Sequence, residues 1–335
     1  MESDHYCINN GRIVKAVLFI SILLLITSDL FSQDPQFSQF YANPIYLNPA
    51  LVGVHQEYRA TLNYRQQWGN ATGYTTSAFS MDGRLGSNSG VGIQVMHDKQ
   101  FNDVLVSSFY NASVSHRISL TETSQLGMGI GFGYYHKNFN WQNLVFEDQL
   151  NARYGVMYDT KERFDYNAVS NMDFSTGLIY TSNNIVGGVS IDHLNRPNEE
   201  FVEGSSTRVP LKYTLHLAGN LENKNFWRRF SYLSPNIIYE RQGDFEYWNL
   251  GMFYANSSWV IGGWYRVKEA LIVSMGMNID KFRLGYSYDY TIAPYRKVVG
   301  NTHELSLSYQ FDIAWPKKPK DRYKGKCPDF YKYLF

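Results

Sequence analysis

Histidine, cysteine and serine are the side chains of this 335-residue chain best suited to catalysis or metal binding, and their spacing excludes the commonest forms of both. The eight histidines are His5, His55, His97, His116, His136, His193, His216 and His303. No two have the i, i+4 separation that places ligands on one helix face, and no Cys/His set has zinc-site spacing. The two cysteines, Cys7 and Cys327, lie near opposite ends, so no disulfide framework is implied. There is no G-x-S-x-G elbow and no phosphate-binding P-loop. Residues 127–133 read G-x-G-x-G-x-G, but the intervening Met128, Ile130 and Phe132 make this one face of a strand whose small side lets something approach. No catalytic set, metal or cofactor is therefore assigned.

The polar residues acquire meaning from the elements that carry them. Past Gly53 the apolar period is two. Leu305, Leu307, Tyr309, Phe311 and Ile313 alternate with Glu304, Ser306, Ser308, Gln310 and Asp312. Phe282, Leu284, Tyr286, Tyr288 and Tyr290 alternate with Lys281, Arg283, Gly285, Ser287 and Asp289. Successive strand side chains point to opposite faces, so each such segment has one apolar and one polar wall. Fourteen segments read this way, at 57–68, 74–84, 90–99, 104–119, 124–138, 170–181, 184–193, 209–222, 231–242, 244–255, 257–266, 270–280, 281–292 and 302–313. Those at 231–266 alternate less cleanly. No apolar run is long enough for a membrane helix, whereas many segments reach the length of a tilted membrane strand.

A soluble β-sandwich also alternates, but its strands are usually shorter. Connector length separates the two readings. The long connectors, about 139–169, 194–208 and 293–301, all follow odd-numbered segments, and short turns mostly follow even-numbered ones. That asymmetry belongs to outer-membrane barrels, with long outer loops and short periplasmic turns. The expected fold is an all-β, up-and-down antiparallel transmembrane barrel of about fourteen strands spanning 57–313.

The polar walls then form a lumen holding both charge signs. Arg59, Arg65, Lys212, Lys281 and Arg283 face Asp289, Glu304 and Asp312. Buried charges need partners, so mixed signs predict cross-lumen salt bridges. A selective pore would carry one sign around its constriction. A filled barrel is expected, with His216 and His303 as plain lumen or rim residues. Arginine at Leu307 or Leu284 should meet lipid, whereas arginine at Ser306 or Ser287 should be milder.

Residues 34–53, D-P-Q-F-S-Q-F-Y-A-N-P-I-Y-L-N-P-A-L-V-G, are expected to pack inside the barrel or across its periplasmic mouth. Pro35, Pro44 and Pro49 fix φ and push the preceding residue towards extended conformations, and Asn43-Pro44 and Asn48-Pro49 initiate turns. The stretch reads as an irregular ribbon, not a helix. Phe37, Phe40, Tyr41 and Tyr46 require a groove to bury them.

Asp34, Pro35, Phe37, Ser38, Gln39, Pro44, Leu47, Asn48, Pro49, Ala50 and Gly53 resemble the N-terminal signature of the PorP/SprF family, with weaker likeness at 286–290 and 303–311. The resemblance implies an outer-membrane, non-enzymatic accessory of the type IX secretion and gliding machinery. It implies as partners a secreted adhesin bearing the type IX C-terminal domain, and periplasmic or motor components. The Asn-Pro-Ala tripeptide is also similar to the hatch of FadL-type channels, which makes a channel for hydrophobic small molecules the alternative.

The ends complete the organisation. Residues 1–32 hold Arg12 and Lys15 ahead of an apolar run at 16–27, as in a secretory leader removed on export. Residues 33–56 form the signature or plug segment. Residues 314–335 carry seven basic residues against Asp321 and Asp329, a basic tail expected in the periplasm. The rest carries no basic excess, so nucleic acid is not an expected partner; outer-membrane lipid is. Aromatic residues make up 16% of the chain and charged ones only 18%, a balance suited to interfacial belts. The 139–169 connector has an apolar start and room for a short helix, and reads equally as a cover over the barrel mouth or as a docking surface.

Overall fold

The computed structural model describes residues 34–312, except 70–72, 162–165, 202–206, 223–230 and positions 56, 152, 154 and 295. The leader and the basic tail lie outside the described residues. Fourteen strands make up the wall: β1 Tyr58–Gln67, β2 Tyr74–Leu85, β3 Ser89–Gln100, β4 Leu105–Ser119, β5 Gln125–Phe139, β6 Ala168–Thr181, β7 Ile185–Asp192, β8 Lys212–Gly219, β9 Ser231–Gln242, β10 Phe245–Asn256, β11 Trp259–Arg266, β12 Ala270–Ile279, β13 Phe282–Thr291 and β14 Thr302–Phe311. Each pairs antiparallel with its sequence neighbour, and β1 pairs with β14, Tyr58 opposite Phe311. The ladder is continuous through β8–β9, Lys212 opposite Gln242, so the sheet is a closed barrel without an edge. Closure is what satisfies every strand's backbone where water is absent.

Alternation sorts the side chains as the period requires. Along β14, Thr302, Glu304, Ser306 and Ser308 are buried while Leu305, Leu307 and Tyr309 are exposed on the outer wall. A barrel with an apolar outside and a polar inside belongs in a membrane. β8 is shorter than the alternation at 209–222 implies. Pro210 has no N–H to give a ladder, and Val209 bonds instead to Pro197 O at 3.0 Å. The alternation resumes only as a two-residue extension, Leu221–Glu222, beside β9.

One end of the barrel carries the 140–167, 193–211 and 292–301 connectors; the other carries mainly tight turns such as 86–88, 182–184 and 257–258, together with the start of β1 and the end of β14. These are the loop end and the turn end. The 140–167 connector holds two 3-10 turns, Trp141–Asn143 and Glu147–Gln149, and a two-residue hairpin pairing Leu150 with Val156.

Residues 34–53 lie inside the barrel. The expectation of a ribbon without helix needs correcting, because the segment is three single helical turns in succession: 3-10 at Phe40–Ala42, α at Pro44–Leu47 and 3-10 at Pro49–Leu51. The prolines start turns as well as block strands. At a helix's first position the missing N–H is one that would have no intrahelical partner, and φ is already helical. Asn48 caps the last turn, its Oδ1 accepting from Ala50 N at 2.9 Å.

Candidate functional site

The plug runs down the lumen from the loop end to the turn end and is fastened at three levels. At the first level Asp34 N donates to Gln242 Oε1 at 3.1 Å, and its carboxylate meets His193 Nε2 at 2.9 Å and Lys212 Nζ at 3.6 Å. His193 follows β7 with φ +60°, a left-handed conformation uncommon for a histidine, which turns the chain out of the ladder. Its other ring nitrogen meets Asp173 at 2.9 Å. Burial would raise the Asp34 carboxyl, but His193 and Lys212 outweigh it and hold it well below the usual carboxylate range. Burial would likewise lower His193, but Asp34 and Asp173 push its imidazole up to about 10. Tyr46 completes this level, its hydroxyl donating to Pro35 O at 2.5 Å and its ring lying 4.3 Å from Lys212 Nζ.

Just below, the lumen charges converge on Ser38. Arg65, 1% exposed, bonds Ser38 Oγ at 2.7 Å, Glu304 Oε2 at 3.0 Å and Asp289 Oδ2 at 3.2 Å. Ser38 N donates to Glu304 Oε2 at 2.7 Å, Ser38 Oγ to Asp289 Oδ2 at 2.5 Å, and Gln39 N to Glu304 Oε1 at 3.1 Å. Arg266 adds a second guanidinium, 3.5 Å from Asp289 and 3.3 Å from Ser38 Oγ. Two buried cations thus face two buried carboxylates, and the plug's own amides use lone pairs that remain.

The third level is steric. Asn48 Nδ2 donates to Leu178 O and Val189 O, each at 3.1 Å, inserting the side chain between β6 and β7. Beside it the glycine face of β5 is a necessity: a Cβ on Gly129 would lie 2.4 Å from Ala50 N. Gly53, at φ +62°, ends the plug where Arg117 reaches Val52 O at 3.2 Å and Gly53 O at 2.6 Å. Gly53 N donates a hydrogen bond to Asp82 Oδ2 at 2.9 Å, and Arg59 bonds the same carboxylate at 2.9 Å. His55 sits among these guanidiniums; burial and then the Arg59 charge hold its imidazole well below its ordinary range.

Apolar anchoring runs alongside. Phe37 packs edge-on to Tyr46 with centroids 5.3 Å apart, Phe40 edge-on to Trp264 at 5.7 Å, and Tyr41 stacks on Trp264 at 6.1 Å. Leu47, Ala50 and Leu51 join Ile179, Phe253, Trp264 and Ile272 in the main core cluster, while Pro44 and Pro49 are buried at their turn starts.

Of the eight lumen charges read from the sequence, Arg65, Asp289 and Glu304 form one group. Arg59 is with Asp82 at the turn end, and Lys212 is with Asp34 and Glu240. Arg283 lies apart from these three groups and lines a cavity of about 40 Å³ with Tyr41 and Ser308. Lys281 and Asp312 are corrections, since both are exposed beyond their strand ends. Arg266, Asp82, Arg117 and His193 went unread. The signal for Arg266 was parity with Gly262 and Trp264, obscured because that inner face is itself aromatic where it meets Phe40 and Tyr41.

A closed antiparallel barrel with a lipid-suited outer wall and a chemically fastened internal segment defines a plugged outer-membrane β-barrel. The chain matches the type IX secretion system membrane proteins PorP/SprF over residues 30–309, and it belongs to that family. No curated relative matches it. Among solved structures it is similar to the toluene transporter TodX of Pseudomonas putida, at 11% identity over 85% of this chain and 100% of that one, TM-score 0.49. The CymD monoaromatic hydrocarbon channel gives 10% identity over 82% and 94%, TM-score 0.48. A Pseudomonas aeruginosa FadL homologue gives 10% over 84% and 99%, TM-score 0.46.

Proposed function

We propose that this protein is a non-enzymatic accessory of type IX secretion that supports export and surface attachment of adhesins bearing the type IX C-terminal domain, acting as a closed platform. Family membership supports the secretion role. The observation that carries the closed-platform reading is the Ser38 level. Arg65, Arg266, Asp289 and Glu304 are each at most 2% exposed and bond the plug directly. A route through the lumen would have to break these contacts in a low-dielectric interior. In this reading the loop end faces outward and presents Val145, Leu150, Met157 and Tyr158, all exposed, to a secreted partner. The turn end, where β14 closes, and the basic tail beyond it face the periplasmic and motor components, while the plug starts beside the outer mouth.

The test is deletion of residues 36–46. The closed-platform reading expects a barrel that still assembles, conducts ions in planar bilayers and loses adhesin display, with the adhesin recovered on the intact protein by crosslinking. A deletion that neither conducts nor disturbs display overturns it. The second reading, a channel for hydrophobic small molecules, is favoured by the aromatic lining of the cavity beside Tyr41 and Phe253. At about 40 Å³ that cavity has room for water but falls well short of a ligand pocket of roughly 300 Å³. Uptake of a hydrophobic substrate that requires this protein, with display intact in its absence, would establish the channel instead.

A further inference from the structure

On the outer wall, strand register builds a notch across β14, β1, β2, β3 and β4. One row of opposed residues runs Leu305, Tyr64, Ser77, His97 and Ser108. Ser77 is the small member between two large ones, so the wall dips at its position. Towards the turn end the adjacent row is Leu307, Leu62, Phe79 and Val95, and with Tyr64 and Leu305 it lines an apolar groove of about 470 Å³. Towards the loop end Thr75, Lys99, Asn102 and Asp103 line a polar groove of about 480 Å³. Ser77 and His97 line both, so the two join into one amphipathic channel along the strands.

Its polar half is arranged, not merely wet. His97 Nδ1 lies 3.0 Å from Ser108 Oγ, which fixes the ring and leaves Nε2 without a partner among the described residues. Lys99 Nζ and Asp103 Oδ2 are 3.1 Å apart with side chains 40% and 51% exposed. An exposed pair of this kind is weak and exchanges partners at little cost. The site therefore offers a cation, an anion, hydroxyls and an imidazole directly above a hydrocarbon-sized groove. On β9 and β10 the outer wall is closed instead by Tyr239 and Trp248, rings 4.6 Å apart.

We propose that this notch binds one zwitterionic phospholipid, with an acyl chain along Leu62, Phe79 and Leu307 and the head group across Ser77, His97 and Lys99. The alternation turns this wall to lipid, and a surface that changes from apolar to polar over one row is complementary to an amphiphile. The head-group class follows from charge. Phosphate pairs with Lys99 and the hydroxyls while the ammonium pairs with Asp103. A purely anionic head would meet Asp103, and a sugar head would leave the ion pair unused.

Native mass spectrometry and titration of the intact barrel in a polyoxyethylene detergent test this with three single-chain probes: lauroyl lyso-phosphatidylethanolamine, dodecyl phosphate and dodecyl maltoside. The expected result is a single saturable site preferring the first probe about tenfold, the worth of one charge-assisted hydrogen bond. Ser77→Trp fills the notch and should abolish that site. Tryptophan is at home in an interfacial belt, so heat-modifiable mobility should show a folded barrel. Lys99→Gln should keep chain binding and lose the head-group preference. Equal binding of the three probes would mean ordinary annular lipid. That result, or saturable binding unchanged by Ser77→Trp, overturns the proposal.

Discussion

At the scale of single residues, the lumen is a set of charges whose partners are fixed by the plug as much as by the wall. Arg65 is the clearest case, because it joins Ser38, Glu304 and Asp289. Arg65→Ala would strand two buried carboxylates with Arg266 alone, and breaking such a group costs about 3–5 kcal/mol. The expected outcome in urea unfolding from detergent is a large loss of stability, partly restored by adding Glu304→Gln. The Asp34–His193 pair makes stability depend on pH, and the sign follows from the shifts. His193 is raised from 6.5 to about 10, so its contribution is complete below 6.5 and is lost as pH climbs through about 10. Asp34 is depressed from 3.8, so its contribution is present above that value and is lost only in strong acid. Urea resistance should therefore fall between pH 6.5 and 10, and His193→Gln should remove that slope.

At the scale of elements, each strand does two jobs on two faces. Leu307 faces lipid and Ser306 faces the lumen, paired along β14 by alternation alone. Leu307→Arg should cost about 2–4 kcal/mol near the midplane and weaken heat-modifiable mobility. The neighbouring Ser306→Arg is not the mild change that a watery lumen would allow. Ser306 Oγ donates to Gln39 Oε1 at 2.6 Å, so an arginine has room only where the plug now lies. The expected outcome is a folded barrel with raised conductance, a dissociation of wall from plug that Leu307→Arg would not give. The strands themselves were legible because period two survives wherever lumen and lipid differ in polarity, as on β13 and β14. The reading weakened on β9–β11, where Tyr232, Phe253 and Trp264 are inward and Trp248, Trp259 and Tyr265 outward, because a plug with its own aromatic face demands an apolar wall. The three helical turns of the plug were missed for a different reason. Proline forbids both strand and helix interior, and only a proline-headed single turn escapes both prohibitions.

At the scale of the whole molecule, the site is a set of contacts far apart in sequence, which is why composition revealed its ingredients but not its pairs. Lys212 was legible as a lumen charge. That its partner is Asp34 was not, because nothing in the chain sets the depth of the plug until Asn48 enters the wall and Gly129 admits Ala50. The described plug has a direction, with Asp34 beside His193 at the loop end and Gly53 beside Asp82 at the turn end. If the loop end faces outward, the start of the described chain lies near the outer mouth and β1 begins at the periplasmic side. Single cysteines decide this. At Val145 or Asn195 they should react with a membrane-impermeant maleimide on intact cells, and at Ser182 or Asp280 they should react only after lysis. Gln36→Cys is the sharper probe, since Gln36 belongs to the loop-end stretch of the plug yet is only part-buried. It should be unreactive on cells at near-neutral pH and should become reactive in an Arg65→Ala background, where the Ser38 level is loosened. Labelling at Ser182 and Asp280 on intact cells, with Val145 protected, would reverse the orientation and put the Ser38 fastening at the periplasmic mouth.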